Sequence, residues 1–87
     1  MIRTYTGVQY ILKHTNGNGE LADTFDSVEA AKRGREEAQE REIAYRKEFH
    51  FDNLTPTNYL IVRRSWSNIY DDDTFVSHTT QEIVVPE

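Results

Sequence analysis

The sequence predicts an α+β domain, in which an antiparallel sheet of about four strands carries one long helix on one face. Three observations predict this fold. The two ends of the chain alternate β-forming residues, an Asn-Gly-rich turn follows the first such segment, and the centre has a helical period. The elements therefore run hairpin, helix, hairpin (ββαββ). A chain of 87 residues suits one small domain, which we expect to span 1–87.

The first hairpin is predicted from a segment rich in β-formers, a turn and a returning segment. "YTGVQYILKHT" predicts a strand over 5–14, and "ELADTF" predicts the returning strand over 20–25. Between them stands "NGNG" at 16–19, and Asn and Gly tolerate the positive φ that tight hairpin turns require. The same glycines lack the spacing of phosphate-binding loops, so we interpret them as a turn.

The central segment predicts a helix from about 27 to 50. Asp26 is the expected N-cap, and Glu29 three residues later would complete a capping box. One face of this helix carries Ala30, Ala31, Gly34, Ala38, Tyr45 and Phe49. The small residues predict a first half that lies close against the sheet, and the aromatic residues predict a second half that spans a wider gap. "KRGRE" within this helix is a solvated face, since neighbouring acids neutralise it.

The second hairpin follows "DNLTPT", which is expected to break the helix because Thr55 precedes Pro56. "NYLIVRRSWSNIY" and "TFVSHTTQEIVV" predict two β-segments joined by three aspartates. One helix covers only one face of a sheet, so the other face is expected to expose an aromatic surface. Which parity points inward stays open, and Arg63 and Arg64 are expected to point to opposite faces. One of them would stack on Tyr59 or Trp66.

The charge of the chain is unevenly distributed. The net charge is −5, and residues 65–87 hold five acids and no Lys or Arg, while residues 1–64 are balanced. This asymmetry bears on partners and on association rate. It argues against a nucleic-acid backbone as the partner of this region, because phosphate binding needs clustered Lys and Arg.

Three interpretations of the aspartate tract at 71–73 remain open. The tract is a hairpin connection, a divalent-cation site, or a surface that docks a basic partner. The spacing does not match an EF-hand loop, because Phe75 stands where the third ligand is needed and no glycine follows. A hairpin connection is the simplest of the three, but turn chemistry alone does not require three acids, and the uneven charge gives weight to docking.

The rest of the sequence offers no catalytic or cofactor signature. His14, His50 and His78 lie in different elements without metal-binding spacing, and no nucleophile elbow is present. We therefore expect no enzyme, no cofactor and no metal. The absence of cysteine and of a long apolar N-terminal segment leads us to expect a cytoplasmic protein that does not enter a membrane.

"TFDSVEAAKRGREEA" and "NYLIVRRSWSNIYDDDTFVSHTT" resemble segments of the small accessory proteins that bacteriophages and prophages carry. The resemblance implies a non-enzymatic protein that binds and modulates a host factor in the host cytoplasm. Acidic members of that broad group, some anti-CRISPR proteins among them, inhibit by occupying surfaces meant for nucleic acid. No site residue is carried over from the resemblance.

The preferred hypothesis is an acidic protein-binding module whose contact surface is the second hairpin and the open sheet face. Acids would pair with Lys or Arg of a basic protein, and aromatic side chains would anchor the contact. The predicted contact residues are Asp71, Asp72, Asp73, Tyr70, Phe75, Trp66, Arg63 and Tyr59. The alternatives are a small enzyme or ligand-binding module that uses a divalent cation, and a structural homodimer that packs through its open sheet faces.

Overall fold

The computed structural model describes residues 1–15 and 19–87 and confirms the predicted α+β class. The elements are β1 (Ile2–His14), β2 (Glu20–Phe25), α1 (Val28–Glu48), β3 (Tyr59–Asp71) and β4 (Thr74–Val84). The four strands form one antiparallel sheet in the order β2-β1-β3-β4, and α1 packs on one of its faces.

Strand β1 is longer than the sequence predicted. It begins at Ile2, because it pairs with β3 along its whole length, from Ile2 opposite Asp71 to His14 opposite Tyr59. The predicted bounds of β2 are confirmed. Of the predicted "NGNG" turn, residues 16–18 lie outside the described residues. The His14 N–H donates to the Gly19 carbonyl at 3.0 Å, and Gly19 has a φ of 114° that suits glycine.

The two ends of α1 are set by local hydrogen bonds that differ from those predicted. Ser27, and not Asp26, is the N-cap, and its hydroxyl accepts from the Ala30 N–H at 3.1 Å. At the other end His50 adopts a left-handed φ of 58°. The His50 N–H donates to Lys47 and the next N–H donates to Arg46, a Schellman closure. The helix therefore ends well before Thr55 and Pro56.

The core lies between the first half of α1 and one end of the sheet. Leu12, Ile61 and Tyr59 point from β1 and β3 towards the helix, where Ala31 is fully buried. A Cβ on Gly34 would collide with the Phe25 ring. This close approach confirms that the small residues of α1 lie against the sheet.

The prediction for the aromatic half of α1 is wrong. Tyr45 and Phe49 span no gap to the sheet and are 55% and 58% exposed. They pack on each other with ring centroids 4.6 Å apart, and Tyr45 also lies 6.1 Å from the ring of Phe51. This part of α1 is held by the connection to β3, since Glu42 accepts from the N–H and hydroxyl of Thr57.

The molecule is elongated, measuring 60 × 21 × 18 Å. The buried residues of the sheet are confined to positions 11, 12, 59, 61 and 62, near the helix. Beyond them β1, β3 and β4 continue as a three-stranded sheet towards the β3–β4 turn. Neither face of this extension is covered by α1, and its side chains are exposed or half-buried.

Candidate functional site

The aspartate tract forms the tight turn between β3 and β4. Asp71 is paired with Thr74, which leaves Asp72 and Asp73 as a two-residue connection. Asp72 has a φ of 52°, a conformation that Asp and Asn tolerate better than most residues. The hairpin interpretation therefore describes the local structure of the tract, and the docking interpretation depends on what surrounds it.

The aspartates lie beside two cationic groups from the first three residues of the chain. The Met1 ammonium is 2.8 Å from the Asp72 carboxylate and 3.6 Å from that of Asp71. The Asp72 N–H also donates to the Met1 carbonyl at 2.8 Å. Arg3 lies across from Tyr70 in the same region. Among the described residues Asp73 has no ion pair, so its carboxylate is available to a ligand.

Aromatic rings lie next to these carboxylates. Tyr5 and Tyr70 meet edge to face with centroids 5.8 Å apart, and Tyr70 meets Phe75 in the same way at 5.7 Å. Tyr5 is 50% exposed and Phe75 is 55% exposed. Edge-to-face packing holds the rings in fixed orientations, and the exposed parts of Tyr5 and Phe75 remain accessible to a ligand.

The carboxylates and rings line one shallow cleft of about 320 Å³. Its walls are Arg3, Tyr5, Asn68, Tyr70, Asp72 and Asp73. We call this region the tip cleft. It lies on the sheet face that α1 does not cover, which we call the open face. Odd residues of β1 and even residues of β3 point to this face, and the cleft residues of both strands have these parities.

The tip cleft gathers part of the predicted contact surface and leaves part of it elsewhere. Asp72, Asp73 and Tyr70 line the cleft, and Phe75 packs on Tyr70 at its border. Trp66 lies on the same sheet face, two residues along β3 from Asn68, and its indole covers Gly7.

Tyr59 and Arg63 are not part of this surface. Tyr59 is 7% exposed and packs in the core under α1. Arg63 has the same parity and points to the helix side of the sheet, away from Trp66. The expectation that Arg63 and Arg64 point to opposite faces is confirmed, and only Arg64 lies on the open face.

Sequence reasoning missed Arg3, Tyr5 and Asn68. Arg3 was missed because β1 was expected to begin only at residue 5, and Tyr5 was missed because only the pairing of β1 with β3 brings it to Tyr70. An alternating pattern that continues back to Ile2 was the available signal, since it places Arg3 and Tyr5 on the same face. Asn68 shares the parity of Trp66 and Tyr70, and its role became visible only from the strand pairing.

An ionic network covers the open face at the helix end of the sheet. Glu82 binds Lys13 at 2.5 Å and Arg64 at 2.8 Å, and Arg64 also binds Glu20 at 3.0 Å. The contacts with Lys13 and Arg64 lower the pKa of Glu82, although desolvation opposes them. Beneath lie Ile11 at 1% exposure and Val62 at 3%. The network and its aliphatic stems therefore cover Ile11 and Val62. Leu60 and Val84 on the same face remain 37% and 52% exposed.

Across residues 1–15 and 19–87, no three His, Asp or Glu side chains converge so as to hold a metal ion. The one helix in these same ranges is too polar to cross a membrane.

Comparison of the chain with protein-family models, with curated proteins and with solved structures found no match.

Proposed function

We propose that this protein is a non-enzymatic binding module that docks a basic surface of another protein in the tip cleft. The observation that carries the proposal is the position of the Asp72 and Asp73 carboxylates beside Tyr5 and Tyr70 in one accessible cleft. Carboxylates and aromatic faces are the two groups that recognise Lys and Arg side chains.

Each part of the cleft has a separate role in such a contact. The carboxylates attract a cationic side chain over a distance and raise the association rate. The rings of Tyr5, Tyr70 and Phe75 then provide apolar area, which retains the partner once solvent is expelled. An arginine is the best fit, because its guanidinium can stack on a ring while it donates to a carboxylate.

The cationic groups within the cleft limit how much charge the acids present. The Met1 ammonium and Arg3 lie close enough to offset part of the aspartate charge. A carboxylate offers about four acceptor positions, so one ammonium contact leaves Asp72 able to accept more hydrogen bonds. Asp73 is expected to make the strongest contact with the ligand.

The class of basic partner is a further part of the proposal. A surface that binds nucleic acid is rich in exposed Lys and Arg and would suit the tip cleft. The chain would then act as an inhibitor that competes with the nucleic acid, as the resemblance to phage accessory proteins implies. If added nucleic acid did not displace this chain from its partner, this part of the proposal would be wrong. The proposal of a binding module would be unaffected.

The experiment is an NMR titration of the full chain with an oligo-arginine peptide at two salt concentrations. We expect saturable shifts at Tyr5, Asn68, Tyr70 and Asp73, and weaker binding at the higher salt, because steering is screened over about 8–10 Å. Shifts spread over the whole surface, or none at the cleft, would contradict the proposal.

A matched pair of variants separates the cleft from net charge. Asp72→Asn/Asp73→Asn removes two charges from the cleft, and Asp23→Asn/Asp52→Asn removes two charges from exposed positions elsewhere. We expect the first pair to weaken peptide binding at least tenfold and the second to change it little. Equal effects would mean that the peptide senses only total charge.

Titration with Ca²⁺ and Mg²⁺ tests the divalent-cation alternative on the same spectra. Asp72 is engaged by an ammonium, and among the described residues no three acids or histidines are grouped so as to hold a metal ion. We therefore expect no saturable shift at residues 71–73 at micromolar metal. Such a shift would replace the docking proposal with a ligand-binding one.

A further inference from the structure

The outer edge of β4 is long, accessible and almost uncharged. β4 is the last strand of the sheet, and its 11 residues Thr74–Val84 pair only with β3 among the described residues. Glu82 is its one charged residue, and it contains no Lys or Pro. Proteins usually protect such edges with charges, prolines or a covering element. An unprotected edge of this length is suited to pairing with another strand.

Along β4, alternate residues direct their backbone N–H and C=O groups towards β3 and away from it. One hydrogen bond shows which residues belong to each set. The Val85 N–H donates to the Ile61 carbonyl at 2.8 Å, so position 85 faces β3. In an antiparallel pair the inward-bonding positions recur at every second residue. The N–H and C=O groups of His78, Thr80 and Glu82 therefore point away from β3, and those of Thr79 and Gln81 point towards it.

We propose that β4 pairs with β4 of a second copy of this chain, antiparallel and centred on Thr80. This register places Thr80 opposite Thr80 of the partner subunit and His78 opposite Glu82 of the partner subunit. Both are favourable cross-strand pairs, and the second occurs twice because the dimer is symmetric. The same register keeps the two Glu82 side chains apart, whereas a register centred on Glu82 would bring them together.

Charge also favours this edge over contact through the tip. Asp73 lies seven residues from Thr80, or about 23 Å at about 3.3 Å per residue. The two acidic turns would therefore be about 45 Å apart, several Debye lengths at ordinary ionic strength. Association through the tip clefts would instead bring both aspartate tracts together in a chain of net charge −5.

The free edge of β1 is a weaker candidate for the same pairing. β2 occupies this edge at Tyr10, Ile11 and Lys13, so only positions 2–9 lack a partner on that side of the strand. The edge of β4 has no such obstruction. The paired dimer would form one continuous sheet of eight strands with about six new backbone hydrogen bonds.

Sedimentation equilibrium from about 1 to about 500 µM tests the proposal, since an edge contact of this size is expected to be weak. We expect a reversible monomer–dimer equilibrium for the native chain. Thr80→Pro removes an N–H that points to solvent in the monomer, so it should retain the fold and weaken dimerisation at least tenfold. Thr80→Val retains the N–H and should dimerise like the native chain. A monomer throughout the range, or a dimer unaffected by Thr80→Pro, would overturn the proposal.

A charge pair at one position tests the register. His78→Lys and His78→Glu both lose the contact between the His78 ring and Asn68. Lys would face Glu82 of the partner subunit, whereas Glu would face a like charge. We expect the dimer of the Glu variant to dissociate at least tenfold more readily than that of the Lys variant. Equal dissociation of the two would exclude this register.

Amide exchange provides a measurement that is independent of basic partners. We expect the amides of Thr80 and Glu82 to gain protection as the concentration rises, because they bond only across the dimer. The amides of Thr79 and Gln81 bond to β3 and should be protected at every concentration. Failure of peptide binding in the tip cleft would leave this pattern unchanged, and outward amides that exchange rapidly at the highest concentration would refute the dimer.

Discussion

The indole ring of Trp66 lies across Gly7, its direct neighbour on the adjacent strand, so closely that a Cβ at position 7 would overlap the ring. Glycine weakens a strand, since it has no side chain to pack and loses more entropy on folding. An aromatic residue opposite it covers the exposed backbone and offsets part of that cost. The pair lies between the ionic network and the tip cleft, where it supports the middle of the uncovered sheet.

Gly7→Ala is expected to destabilise the protein, although alanine normally suits a strand better than glycine. The new methyl would displace the Trp66 ring and cost about 1–3 kcal/mol. In a Trp66→Ala background the same change should be neutral or favourable. A double-mutant cycle from chemical denaturation measures this coupling. Additive effects of the two substitutions would show that the ring does not lie over residue 7.

Gly34 provides a second test of close packing, at the contact between α1 and the Phe25 ring. Gly34→Leu is expected to cost about 1–3 kcal/mol or more, because the core has no room for it. Gly34→Ala has two opposite effects on stability. Alanine favours the helix by about 1 kcal/mol relative to glycine, but its methyl group would clash with the Phe25 ring. In Phe25→Ala, which removes the ring, Gly34→Ala should become stabilising. Thermal melts that show the same sign in both backgrounds would mean that Phe25 does not limit position 34.

The sequence predicted the elements of this fold well because their signals are local. The segment that follows the Asn-Gly-rich turn was predicted as a strand with the bounds that β2 has, and the small residues Ala31 and Gly34 predicted which half of α1 meets the sheet. The N-cap was misplaced by one residue, because adjacent Asp26 and Ser27 are both good caps. Only the backbone geometry decides which of the two side chains accepts the free N–H.

The candidate site was only partly predictable because it depends on strand pairing. The aspartates and Tyr70 are near each other in sequence, whereas Tyr5 joins them through the pairing of β1 with β3. The aromatic end of α1 was predicted wrongly for a related reason. Helical periodicity identifies a face, but it does not say whether the sheet extends far enough to meet Tyr45 and Phe49.

Glu42 is expected to make stability depend on acid pH. Partial burial would raise its pKa, but hydrogen bonds from the Thr57 N–H and hydroxyl, together with Arg46, lower it below the ordinary value of 4.5. A carboxyl with a lowered pKa in the folded state stabilises the protein above its unfolded pKa. That contribution is lost as the pH falls from about 4.5 through the lower folded pKa.

Glu42→Gln should therefore lower stability by about 1 kcal/mol near neutral pH, since a charge-assisted contact becomes a neutral one. The difference from the native chain should shrink as the pH falls below 4.5, because the carboxyl takes up its proton in the unfolded chain before it does so in the folded one. Denaturation curves at several pH values measure it. Glu40→Gln is the matched control on an exposed position of the same helix. A difference that stays constant with pH would show that Glu42 does not make the charged contact with Thr57.

The aspartate tract offers the last prediction, because its two turn residues differ in backbone conformation. Asp72 has a φ of 52°, whereas Asp73 is not in the positive-φ region. Left-handed backbone costs an ordinary L-residue about 1–2 kcal/mol, and a β-branched residue is least suited to it. Asp72→Val should therefore destabilise the protein by about 2 kcal/mol, whereas Asp73→Val at the next position should cost much less.

Asn and Gly at position 72 complete the series. Both accept positive φ, so Asp72→Asn and Asp72→Gly should melt close to the native chain, and the exposed contact with the Met1 ammonium contributes little to stability. In the peptide titration, however, Asp72→Asn should reduce binding. If Asp72→Asn left stability unchanged and reduced binding, the role of the tract in the turn would be separated from its role in docking. Equal destabilisation by valine at positions 72 and 73 would show that the left-handed residue is not where the structure places it.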